Sequence, residues 1–259
     1  MLKITRTVQE SGNGGHIYLP KELVGKQVLV VQITRNIKDI KKEILQILEP
    51  YLEHILGIYL YGSYARDEQK PGSDIDVWVV ADKKLKIKEK TEDYEITSTT
   101  LEETKKSLKH NAVIVLSMIK EAIPILNKGL LETFSSYKLN KKNTKLYVDS
   151  TKSSLDIVNN LMQDRLKSSI LNITYPLVMR LRGLYLIECL KENEKYSNKK
   201  LKEYLIKEGL KKEVIDEIYN VYQAVRDEKK VPENNIDYDS LERLYDIVKK
   251  LLLEAEKYE

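Results

Sequence analysis

Apolar and polar positions follow two different periods along the chain, and the pattern divides it into three segments. Near the start, LKITRTVQ (2–9) alternates with the period of two expected of a strand. ESGNGGH (10–16) is dense in turn formers, and HIYLPKELVGKQVLVVQI (16–33) predicts a strand, a proline-started turn and a second strand. Gly12, Gly14 and Gly15 permit positive φ on either side of Asn13, as tight hairpins demand. A piece this small, ending near residue 35, cannot bury a core alone and needs a partner surface.

From Asn36 the period lengthens. Ile37, Ile40, Ile44, Ile47 and Leu48 fall at helical spacing. LGIYLYG then predicts a strand, SYARDE a short helical turn, SDIDVWVVAD a second strand and DYEITSTT a third. LEETKKSLK and NAVIVLSMIKEAIPIL predict helices, the latter running until Pro124 interrupts it. Strands mixed with helices over residues 36–130 make a compact mixed-sheet domain.

Residues 131–259 are helical in pattern throughout. Leu155, Val158, Leu161, Met162 and Leu166 form one stripe, and YPLVMRLRGLYLIECLKEN gives another helix. Ser197 is placed to N-cap NKKLKEYLIKE, and Gly209 suits the residue after its end. KKEVIDEIYNVYQAVRDEKK follows, then a polar loop with Pro232. Asp239 with Glu242 forms a candidate capping box for the last helix. The fold class expected is α+β: a mixed-sheet domain (36–130) with an N-terminal small β-hairpin domain (1–35) and a C-terminal α-helical bundle (131–259).

Composition narrows the function. Lys and Arg number 44 against 40 Asp and Glu, a net charge of +4, too small to mark a nucleic-acid binder by itself. The 32% charged fraction, rich in Lys and Glu, fits either a thermophile or AT-rich codon usage. The single cysteine, Cys189, rules out an intramolecular disulfide and fits a reducing compartment. His16, His54 and His110 lie far apart with no partner at ligand spacing, which argues against zinc. No apolar run nears the roughly 18 residues that cross a bilayer, and the first residues lack a signal-peptide pattern. A soluble cytoplasmic protein without membrane contact is expected.

The chemistry concentrates in YLYGSYARDEQKPGSDIDVWVV (59–80). On a strand, Asp74 and Asp76 share a face while Ile75 and Val77 anchor the other. Adjacent carboxylates repel unless a cation offsets them. Mg²⁺, a hard ion held by one or two carboxylates plus substrate phosphates, suits such a pair. Upstream, Gly62 follows a strand and Ser63 opens a helical turn, offering N–H groups and a hydroxyl to a phosphate. Phosphate donors facing metal-binding acids is a layout for nucleotidyl transfer, where positioning and charge neutralisation dominate.

Gly62-Ser63, ten residues, then Asp74-Ile75-Asp76 resembles the GS-x10-D-x-D signature of the DNA polymerase β-like nucleotidyltransferase superfamily. The flanking sequence looks most like its minimal nucleotidyltransferases, antitoxin partners of HEPN-type toxins. The resemblance implies that Gly62, Ser63 and Ser73 serve the triphosphate of ATP, and that Asp74 and Asp76 ligate Mg²⁺ in a two-metal site. It also calls for a third carboxylate as metal ligand or base. Glu95 is the choice on strand alternation, with Asp93 the rival; the remaining alternative is that the third acid is absent and the domain binds nucleotides without turning them over. Arg66 either supports the loop or a phosphate, or is an exposed salt-bridging arginine. The segment GNGGHIYLPKELVGKQVLVV resembles AbrB/SpoVT-type hairpins, in which two chains interlock. There Lys3, Arg6, Lys21 and Lys26 would face DNA; the other reading is a hairpin that only dimerises. The helical segment resembles HEPN/kanamycin-nucleotidyltransferase-type domains, in KYSNKKLKEYLIKEGL and YNVYQAVRDEKK. A HEPN ribonuclease pairs an Arg with a nearby His, and no histidine follows His110, so Arg226 lacks that partner. The expected function is transfer of a nucleoside monophosphate, AMP from ATP, to a hydroxyl acceptor such as a HEPN-type toxin, by a homodimer. The alternatives are a small-molecule (aminoglycoside-type) acceptor, or a non-catalytic DNA-binding regulator with a nucleotide-binding module.

Overall fold

The computed structural model describes residues 4, 6, 8–30, 36–70, 72–87, 93–163, 165–166 and 169–257. Its centre is a four-stranded mixed sheet made of β3 (Ile55–Tyr61), β4 (Ile75–Ala81), β5 (Tyr94–Thr100) and β6 (Ile123–Leu126), in the order β5-β4-β3-β6. β3 pairs antiparallel with β4 and β6, while β4 and β5 run parallel. Parallel neighbours need a crossover, and the connection between β4 and β5 passes through residues 88–92, which lie outside the described ones.

The first face of the sheet is closed by α1 (Ile37–Leu48), capped by the Asn36 side chain on the Asp39 N–H. Ile40, Ile44 and Leu48 of α1 pack against Ile58, Leu60, Ile75, Val77, Val79 and Ile96. The other face carries Tyr59, Trp78 and Val80, every second residue, and these join a larger core. That core takes in α3 (Leu101–His110), α4 (Ala112–Glu121), α5 (Lys128–Ser135) and the helices that follow. Trp78 stacks between Tyr59 and Phe134 at 5.2 and 5.9 Å, and its indole N–H donates to Thr99. The expected boundary after residue 130 falls inside α5, and one continuous core joins the sheet to the helical segment.

The helical segment consists of α6 (Lys141–Gln163), α7 (Ile170–Lys191), α8 (Asn198–Lys207), α9 (Lys212–Arg226) and α10 (Tyr238–Glu256). α7 packs against α6, α9 and α10. Ser197 caps α8 through the Lys200 N–H, and Gly209 follows it at φ +97° as expected.

Four expectations are corrected. NAVIVLSMIKEAIPIL is not one helix: α4 stops at Glu121 and Ile123–Leu126 is an edge strand. Proline ends the helix, and an edge position tolerates its missing N–H. The cap of α10 is Asp237, whose side chain accepts the Ser240 N–H, so the Asp239–Glu242 box does not form. Leu166 lies beyond α6 and is exposed, whereas Leu155, Val158 and Met162 are buried. α7 begins at Ile170, ahead of Tyr175, and carries Pro176 inside it.

At the N-terminus, β1 (Gln9–Ser11) and β2 (Gly14–His16) form a short antiparallel hairpin through Gly12 at φ +58°. Lys21–Leu23 make one 3₁₀ turn after Pro20. Residues 24–30 form neither helix nor strand, with Leu29 81% and Val24 80% exposed. The second strand expected there is not formed among the described residues; residues 31–35 and Lys3 lie outside them.

Candidate active site

The strand register brings the acids together. Asp76, the second residue of β4, stands opposite Glu95 of β5 on one side and Tyr61 of β3 on the other. Laterally paired residues share a face, and this is the face of Tyr59, Trp78 and Thr99, directed to the helical side. Asp74, two residues before Asp76, precedes the strand and is half-buried. Asp93 contributes its carbonyl, which accepts the Ile75 N–H at 2.8 Å.

Burial pushes the Asp76 carboxyl up to about 6, and the nearby Glu95, Asp74 and Glu121 charges add to this while Arg66 opposes it. Tyr61 shares the setting. Burial raises its phenol to about 12 against a hydroxyl contact with Thr97 at 3.3 Å, and the charges of Asp76, Glu95 and Glu121 reinforce the rise.

Gly62 lies at φ +74°, and a Cβ there would fall 1.8 Å from Asp76 Oδ2. Both the conformation and the contact demand glycine. Ser63 is the second residue of α2 (Gly62–Ala65) and is half-buried. Ser73 occupies a turn, its hydroxyl accepting the Lys70 N–H at 2.9 Å and its own N–H donating to the Lys70 carbonyl.

Among the described residues, no three carboxylate, imidazole or thiolate side chains stand together in a group that could hold a metal ion. The residues fit Mg²⁺ differently. Asp76 and Glu95 repel each other side by side, Asp74 lies next to them, and the Glu95 end is exposed. An open acidic edge matches an ion that keeps part of its shell for water and phosphate oxygens.

Residues 42–133 match the family model for polymerase beta nucleotidyltransferases. This segment has the fold of a polymerase beta-type nucleotidyltransferase domain. Among solved structures, the chain is similar to a spectinomycin adenyltransferase from Enterococcus faecialis, crystallised with ATP and spectinomycin. That likeness has 16% identity, covers 83% of this chain and 100% of that one, and gives a TM-score of 0.44. A toxin–antitoxin structure with AMP-PNP matches at 19% identity over 47% of this chain and 98% of that one, TM-score 0.29. A nucleotidyltransferase-like protein from Exiguobacterium sibiricum matches at 12% identity over 83% and 75%, TM-score 0.36. No curated protein matches the chain.

Other residues of the nucleotidyltransferase domain and the helical segment meet around its glycine turn without any sequence signal. Glu121, buried at the end of α4, accepts the Gly62 N–H at 2.8 Å and Arg66 Nη1 at 2.7 Å. Arg66 is therefore a brace whose side chain is 13% exposed. Burial works against its charge, but Glu121 and Glu68 outweigh that and hold it firmly protonated. Its Nε donates to Glu68 at 3.2 Å. Glu68 in turn accepts from Ser197 Oγ at 2.6 Å and Asn198 Nδ2 at 3.0 Å, where α8 begins. Burial opposes the Glu68 charge, and these bonds outweigh it, keeping the carboxyl below the ordinary glutamate range.

Beyond Arg66, the Tyr196 ring has Arg66 5.4 Å from its centroid and Arg182 5.8 Å from it. Arg182 donates to the hydroxyls of Tyr196 at 3.3 Å and Tyr222 at 2.6 Å. Among the described residues no carboxylate pairs with it. Only the tyrosine abundance of the sequence hints at this cluster.

Proposed function

We propose that this chain transfers AMP from ATP to a hydroxyl acceptor in a Mg²⁺-dependent reaction, with a protein such as a HEPN-type toxin as acceptor. The observation that carries the reading is the register of Asp76 against Glu95 beside the Gly62–Ser63 turn. Asp74, Asp76 and Glu95 would hold Mg²⁺, which supplies charge neutralisation at the triphosphate. The Ser63 hydroxyl and the opening of α2 meet the triphosphate. Arg182, whose hydrogen-bond partners among the described residues are phenols, supports a second contact to it from the helical side. The acceptor oxygen attacks the α-phosphorus and its proton passes to Glu95. The bond to the β,γ-diphosphate breaks, and pyrophosphate leaves.

A small-molecule acceptor is the second reading. A cleft of about 410 Å³ next to Arg66, Glu68, Tyr196 and Ser197 is large enough for one. For the N-terminal segment, the exposed Val24, Val28, Leu29 and Val30 support association with a second copy, and Arg6, Lys21 and Lys26 support DNA contact. Incubation with Mg²⁺ and α-labelled ATP, with mass detection of the adduct, tests transfer. An AMP adduct on a co-purified protein or on an added toxin supports the first reading, and one on an aminoglycoside supports the second. Bound nucleotide that is never turned over leaves a non-catalytic regulator.

A further inference from the structure

Glu121 is a carboxylate with little access to water, 6% exposed, and both of its oxygens are taken. Burying a charge is costly unless it is paired and hydrogen-bonded, and here the partners are one backbone N–H and one arginine. With both oxygens occupied it is poorly placed to accept a proton from substrate. What it holds is more telling. The N–H and Cα of a residue lie in the same peptide plane, so fixing the Gly62 N–H also fixes the Gly62 Cα. A Cβ built on that Cα would fall 1.8 Å from Asp76 Oδ2, so the turn and the strand acid approach each other closely. The other oxygen holds Arg66, whose Nε reaches Glu68, and Glu68 receives Ser197 and Asn198 at the start of α8. One buried acid thus connects three parts: the glycine turn, the strand acid and the helical segment.

We infer that Glu121 is a positioning residue: by gripping the Gly62 peptide and Arg66 together, it sets the spacing between the Ser63 turn and Asp76 and registers α8 on that turn. The role rests on the transferase reading above. It differs from a purely structural role in a measurable way. A buried residue that only supports the fold affects nucleotide binding no more than any other core residue of equal stability cost.

The experiment uses the full chain, Mg²⁺ and α,β-methylene-ATP, with calorimetry at a temperature where circular dichroism shows each variant fully folded. In Glu121→Gln one oxygen still accepts the Gly62 N–H, but an amide faces the Arg66 donor. Leu116→Ala, in the core of the same helix, is the reference for lost stability. Glu121→Gln is expected to weaken nucleotide binding about tenfold or more, as loss of a residue that orients direct ligands does. Leu116→Ala is expected to keep wild-type affinity despite a lower Tm. Wild-type affinity in Glu121→Gln, or equal weakening in both variants, overturns the positioning role. If wild type itself fails to bind the analogue, the transferase reading falls and the Glu121 role with it. Should Glu121→Gln not fold, Glu68→Gln carries the test at the α8 end. A clear loss of affinity supports the registration of α8, and wild-type affinity overturns it.

Discussion

Asp76 and Glu95 stand directly opposite each other in the only parallel strand pair among the described residues. Their side chains therefore meet on one face, and the Glu95 charge works against ionisation of Asp76. For Asp76 the effect adds to burial, and the carboxyl titrates near 6 against an ordinary 3.8. The protonated form is thus favoured by the fold. This group costs nothing below the unfolded value, and its cost grows as pH rises through the folded value. The gap corresponds to roughly 3 kcal/mol. In EDTA, Asp76→Asn is expected to gain stability over wild type at pH 7.5 and to lose that advantage by about pH 4. Urea unfolding at the two pH values measures it. A variant equally stable relative to wild type at both would show that Asp76 is not strained by its neighbours.

The same repulsion makes a cation the natural counterpart of the acidic edge. Mg²⁺ is expected to tighten ATP binding to wild type. Asp74→Asn combined with Asp76→Asn is expected to abolish that Mg²⁺ effect while leaving the fold intact. Calorimetry of ATP with and without Mg²⁺ is the check, and undiminished Mg-ATP affinity in the double variant would remove these residues from the metal site.

Gly62→Ala meets two obstacles together, a left-handed backbone and a Cβ driven into the Asp76 carboxylate. Backbone strain alone is worth about 1–3 kcal/mol. The clash is with an acid of the proposed site, so activity should suffer more than the fold. Nucleotidyl transfer is expected to fall below detection while thermal unfolding shifts by only several degrees. Transfer at the wild-type rate would mean that the turn can relax without moving Asp76.

The proposed site draws most of its members from one local stretch of sequence. Gly62, Ser63, Asp74 and Asp76 lie within one strand–turn–strand stretch, and strand alternation leads on to Glu95. Glu121 gives no such sign, because its partner Gly62 is 59 residues away and nothing near it in sequence differs from an ordinary amphipathic helix end. Ile123–Leu126 misleads because an apolar run with Pro124 suits a broken helix as well as an edge strand, and only pairing with β3 decides. The α10 cap is displaced by two residues because Asp237 and Asp239 are equally good capping residues, and the tertiary path chooses between them. Arg182 and Tyr222 come from different helices, and helical periodicity carries no information about which helices meet.

The N-terminal segment leaves Val24, Val28, Leu29 and Val30 facing outward, an apolar run that a lone hairpin of three-residue strands does not cover. A second copy is the expected cover. Light scattering of the full chain should give a dimer, and a chain beginning at Asn36 a monomer. Equal masses per particle for each would leave the exposed run without a role in association.

If two such segments associate about a two-fold axis, Arg6, Lys21 and Lys26 of both copies come to one side, although the whole chain carries a net charge of only +4. Binding to DNA through them would depend on phosphate neutralisation, so affinity should fall steeply with salt. About six contacts imply a loss of roughly a thousandfold between 50 and 200 mM. Base-edge contacts, worth about 1–3 kcal/mol per good pair, would leave a sequence preference on top of this. A mobility-shift titration with the DNA upstream of the gene and a scrambled control reads both effects. Arg6→Ala with Lys21→Ala should weaken binding to both DNAs and flatten the salt slope. The same affinity for both DNAs, unmoved by the substitutions, would reduce the hairpin to a dimerisation device.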